Sequence, residues 1–173
     1  MANARVLGLV LLSLAVLASG CSDAGRARPS REGAVAPAKG DPAEAALADA
    51  VRLHPREAAA WARLGCYWSA TSRYEAAVGA LSRAVRLAPD DAEAQLQLAV
   101  GLYNLRRDDE SREHLSLVLR ATPRSAAAHW LAAHLAQRAN DRKGAMAEAA
   151  SAARLDPDRY SMPAFLLAMR LAD

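Results

Sequence analysis

Trp61, Leu64 and Trp68 stand three and four residues apart, which places them on one stripe of a helix. Ala77, Leu81 and Ala84 keep the same steps, and the short polar turn Ser72-Arg73 comes between the two stripes. A longer period overlies these local ones. Pro55, Pro89, Pro123 and Pro157 each follow the last by 34 residues, and Arg52, Arg86, Arg120 and Arg154 stand three residues before each proline. Leu53, Leu87 and Leu155 share one phase, with Ala121 as the exception. Proline has no N–H with which to continue a helical ladder, so each one closes a helix. The pattern predicts antiparallel helix pairs, repeated every 34 residues, and no strand.

Three full units follow from this period, at 58–91, 92–125 and 126–159. The first has Trp61, Leu64, Gly65 and Trp68 in one helix and Ala77, Leu81 and Ala84 in the other. Gly65 and Ala77 are small where the two helices must approach. The second keeps Leu98, Ala99, Leu102, Ser111, Leu115 and Pro123, but has Gln95 for a large apolar residue and Val118 for a small one. The third keeps Ala133, Ala145, Ala152 and Pro157. There His129, Ala132, Ala136 and Ala149 replace larger residues and thin the core. Ahead of these, 42–57 carries Ala43, Leu47 and Ala50 at the places of a second helix and reads as a leading half-repeat. Behind them, 160–173 predicts a capping helix with Phe165, Leu166 and Met169 turned inward.

These residues resemble the tetratricopeptide repeat (TPR) at every signature position of the first unit. The resemblance covers residues 41–173 and implies an all-α TPR α-solenoid: a right-handed superhelix of seven or eight antiparallel helices. Trp61 and Trp68 would then be largely buried. Each pair hides only part of its apolar surface alone, so about three repeats with atypical ends are needed for stability.

Residues 1–20 read as an address rather than as structure. Arg5 supplies a positive charge, and Val6 to Ala18 is apolar apart from Gly8 and Ser13, too short for a comfortable membrane span. The sequence Leu17-Ala18-Ser19-Gly20-Cys21 resembles a bacterial lipobox, which implies a lipoprotein signal peptide and acylation of Cys21 with diacylglycerol and a further fatty chain such as palmitate. Several chains hold a protein on a bilayer without a spanning helix. Ser22 in place of Asp suggests, by the same resemblance, a periplasm-facing anchor in the outer rather than the inner membrane. The linker at 21–41 has one large apolar residue, Val35, so it reads as a disordered tether. With Cys21 lipidated, Cys66 would be the one remaining thiol, without an intrachain disulfide, and reads as a small packing residue.

Composition changes this picture little. Of 173 residues 44 are alanine and isoleucine is absent, which suits helices. The net charge of +3 is spread without a basic run, so nucleic acid is not an expected partner. No constellation for chemistry assembles. His129 and His134 are five residues apart, about 140° round a helix, and share no metal-binding face. There is no Cys-x-x-Cys pair and no glycine-rich phosphate loop, so the expectation is no enzyme, no cofactor, no metal and no small-molecule substrate.

What remains is a binding surface. In TPR solenoids the first helices line a groove, and the resemblance places Arg63, Gln97, Tyr103, Asn104, Trp130, His134, Gln137 and Arg138 there, facing a protein or peptide. Trp130 stands one residue past the usual core aromatic, a step of about 100° that would turn it toward the groove. The expected role is a membrane-anchored adaptor or scaffold in assembly of envelope complexes, in pilus, secretion or outer-membrane biogenesis. The alternative is an adaptor that recruits cell-wall hydrolases or binds peptidoglycan precursors, with Trp130 and Tyr103 as its sugar-stacking aromatics.

Overall fold

The structure is a computed structural model that describes residues 41–172, so the leader, Cys21 and nearly all of the linker lie outside the described residues. Among the described residues eight helices follow one another: α1 (Pro42–Leu53), α2 (Ala58–Ala70), α3 (Tyr74–Leu87), α4 (Ala92–Asn104), α5 (Asp108–Ala121), α6 (Ala126–Arg138), α7 (Arg142–Leu155) and α8 (Pro157–Ala172). No strand occurs among the described residues. Each helix packs on the next, and the first helices α2, α4 and α6 also touch one another along one face.

The 34-residue period is visible in the backbone. Ser72, Arg106 and Asn140 lie at the same phase, in the turn inside each pair, and all three have φ near +60° (61°, 64° and 60°). That conformation favours glycine or asparagine, and only Asn140 is one of these. Aspartates and a serine open several helices: Asp41 accepts from Ala43 N, Asp91 from Glu93 N and Ala94 N, Ser125 from Ala128 N, and Asp141 from Gly144 N. Pro55, Pro89 and Pro123 sit in the turns between repeats, outside every helix.

Packing within a pair depends on small residues. A Cβ on Gly65 would come within 2.6 Å of Leu81 Cγ. Ser111, where the other units have alanine, is buried and donates to Ala99 O at 2.7 Å, so its hydroxyl is satisfied by the facing helix.

Where the sequence departs from the repeat, a shared hydrogen bond survives. Trp61 Nε1 donates to Pro55 O at 2.9 Å and Gln95 Nε2 to Pro89 O at 3.0 Å; His129 Nε2 lies 3.0 Å from Pro123 O. Three different side chains thus tie the first turn of α2, α4 and α6 to the carbonyl six residues back. The ends of the second and third units rest on this bond instead of a large apolar residue.

Three expectations are corrected. Trp61 and Trp68 are half-buried, not largely buried, because each turns its indole N–H outward to an acceptor and lies beside an arginine, Arg83 and Arg73 respectively. The last helix starts at Pro157, not near residue 160: Asp156 caps it through Arg159 N, and proline at the first helical position needs no donor. Its inward stripe is Tyr160, Ala164, Leu167 and Leu171. Phe165 and Leu166 therefore point out, each about 130° from the middle of that stripe on either side of it, and are exposed.

Candidate functional site

The face of the first helices carries a line of rings running from α4 through α6 to α8. Tyr103 and His134 have centroids 6.1 Å apart, His134 meets Trp130 edge-on at 4.7 Å, and Trp130 lies 5.5 Å from Tyr160. Trp130 and His134 are four residues apart on α6, one above the other. Tyr160 reaches them because α8 begins early and lies alongside. Arg138 closes the other end: its guanidinium carbon stands 3.5 Å from the Tyr103 centroid, and it donates to Tyr103 O at 2.9 Å and pairs with Asp108.

Among the described residues, three polar atoms in this line have no hydrogen-bond partner although they are buried: Trp130 Nε1, His134 Nε2 and Tyr160 OH. Each such group forfeits its hydration without compensation. Burial holds the His134 imidazole at a pKa of about 4, so it is neutral near pH 7; a bond with Gln137 opposes this, and Arg138 and Arg170 reinforce it. Burial likewise pushes the Tyr160 phenol above its ordinary value.

The eight residues expected in the groove divide. Arg63 is exposed, and Asn104, Gln137 and Arg138 are half-buried. Gln97, Tyr103, Trp130 and His134 are 1%, 5%, 2% and 5% exposed, so the expectation of four open groove side chains is corrected. Trp130 is covered by Tyr160 and His134, which is why repeat packing does demand it. Asn104 bonds Val100 O of its own helix, and Gln97 bonds Glu93. Cys66 is half-buried and disulfide-bonded, which corrects the expectation of a free packing thiol: its sulfur is held covalently.

Sequence reasoning passed over Tyr160, which lies outside the repeat motif. It also passed over a cleft of about 630 Å³ lined among others by Glu93, Leu96, Val118, Arg124 and Ser125, where α4, α5 and the start of α6 meet. Its size suits a side chain or a short peptide stretch. Among the described residues no group of three or more His, Cys, Asp or Glu could hold a metal ion, and no helix is long and apolar enough to cross a membrane.

Comparison with known proteins agrees with this geometry. Residues 70–135 match the tetratricopeptide-repeat family. Among solved structures, MamA from Desulfovibrio magneticus RS-1 superposes with a TM-score of 0.66 at 19% identity, over 76% of this chain and 77% of that one. MamA AMB-1 gives 0.60 at 22% identity, over 66% of this chain and 68% of that one. YrrB, described as a TPR protein with an unusual peptide-binding site, gives 0.62 at 24% identity, over 73% of this chain and 62% of YrrB. The chain thus spans somewhat under two thirds of YrrB. No curated protein matches it by sequence. The fold is a TPR α-solenoid.

Proposed function

We propose that the protein is a membrane-tethered adaptor that receives a segment of a protein partner on the face of α2, α4, α6 and α8, and that it assists assembly of a cell-envelope complex. The observation that carries the reading is the cleft of about 630 Å³ beside Glu93 and Arg124, where α4, α5 and the start of α6 meet. It has room for one anchoring side chain of a polypeptide, and Glu93 and Arg124 are exposed at its edge to meet a partner's polar groups. The likeness to YrrB supports a peptide as ligand. Peptidoglycan is the weaker alternative, because sugar stacking needs open aromatic faces and those of Trp130 and Tyr103 are covered. Attachment through Cys21 rests on the lipobox resemblance alone, and because Cys66 is disulfide-bonded and the chain has two cysteines, it requires that Cys66 not be joined to Cys21 in the mature protein.

Photo-cross-linking from the full chain in its host tests this reading. A photoreactive residue at Glu93 or Arg124 should trap one protein partner, whereas the same residue at Arg86 or Lys143, exposed on α3 and α7, should not. Equal labelling from all four places, or none from Glu93 and Arg124, would overturn it.

A further inference from the structure

The two ends of the solenoid are each half a repeat, of opposite kind. In α3, α5 and α7 the residues that face the first helix of the pair are buried: Ala77, Leu81 and Ala84; Ser111, Leu115 and Val118; Ala145, Ala149 and Ala152. In α1 the same phase holds Ala43, Leu47 and Ala50, and there Ala43 is exposed while the other two are half-buried. Ala46 and Leu53 continue this open strip. The neighbouring side of α1 is engaged, since Val51 packs with Ala60 and Leu64 of α2 and Leu47, at the edge of the strip, packs against the same cluster. Among the described residues, α1 is thus a second helix without its first.

The other end is α8, a helix apolar on both sides. One stripe packs into the core, and the other sets Met162, Phe165 and Leu166 side by side in solvent, 66%, 59% and 45% exposed. A helix apolar all round normally lies inside a larger body, and contiguous exposed apolar side chains mark an interface. Among the described residues no second helix covers this stripe.

We infer that a second copy of this chain covers it: α8 of one molecule packs on the open strip of α1 of the next. What covers a first helix throughout this fold is a second helix in phase with it, and α1 is such a helix with Ala43, Ala46 and Leu53 exposed on its partner side. The pairing completes a repeat across the junction and continues the existing alternation. The alanines of α1 admit close approach of Phe165 and Met162, as Ala77 and Gly65 admit approach within a repeat. Two α8 helices meeting symmetrically would instead oppose bulky side chains and leave α1 open. Because the two surfaces differ, the contact is heterologous and propagates from copy to copy, into a ring or an open filament, rather than closing as a two-fold dimer.

The test uses two differently tagged full-length copies in the same cell, one carrying a photoreactive residue in place of Phe165. An adduct should form with an unaltered second copy, mapping to 42–53, and should form equally with a second copy bearing Phe165→Glu. It should fall at least tenfold with a second copy bearing Ala46→Glu, an exposed site whose change leaves the fold intact by circular dichroism. Loss with Phe165→Glu and not with Ala46→Glu would mean symmetric pairing and overturn the proposal. Adducts only with other proteins or with lipid would overturn it as well.

Discussion

Arg138, at the end of α6, sits 3.5 Å from the ring centroid of Tyr103, at the end of α4 one repeat earlier, and also bonds the Tyr103 carbonyl. Its other contact is Asp108 at the start of α5. One side chain thus joins three helices of two repeats, at a place where a groove position would leave it free to meet a ligand.

Arg138→Ala should destabilise the fold by about 2 kcal/mol, because it leaves Asp108 and a carbonyl without their donor. Arg138→Lys should recover less than half of that, since an ammonium cannot serve the ring, the carbonyl and the carboxylate together. Urea unfolding midpoints at an unchanged slope would show both effects.

Trp130→Ala should cost roughly 3–5 kcal/mol, the range for emptying a large buried aromatic site. Tyr160 and His134 would lose their common neighbour. A variant that kept wild-type stability would mean that the tryptophan is free of the core.

Acidification should weaken the fold through His134. Its pKa is about 4 when folded and near 6.5 when unfolded, so the unfolded chain binds the extra proton between these values. The neutral-histidine contribution is complete above pH 6.5 and is lost as pH falls toward 4, a change of about 3 kcal/mol. Burial of His114 acts in the same direction. Asp41 and Glu44, held below the ordinary carboxylate range chiefly by bonds from Tyr67 and Trp68, add acid sensitivity only at lower pH. His134→Phe should flatten most of the slope of stability between pH 6.5 and 4 in thermal melts.

The mature N-terminus should begin at Cys21 and carry acyl chains, measurable by mass spectrometry. A thioether and a disulfide exclude one another on one sulfur, and the chain has two cysteines. A mass showing Cys21 unmodified, or joined to Cys66, would contradict lipidation.

The helix pairs, their turns and their small contact residues were legible because the 34-residue period repeats what each place needs. Gln95 and His129 read as departures, since a motif stated in apolar residues conceals that tryptophan, glutamine and histidine can each donate to the same proline carbonyl. The candidate site was less legible. The sequence turns Trp130 toward an open groove, whereas it is buried, because Tyr160 covers it; that residue belongs to no motif position and arrives only because α8 starts at Pro157. Phe165 and Leu166 were misplaced for the same reason: a helix apolar on both sides gives its pattern no way to say which side is inward.

The central claim is that a protein partner docks in the cleft beside Glu93 and Arg124. With the partner trapped from Glu93 in hand, backbone amide resonances should be followed as it is added. The account predicts shifts concentrated at Leu96, Thr122 and Ser125 around the cleft, with those of Arg86 and Lys143 unmoved. Saturated binding that leaves the cleft resonances in place would contradict it.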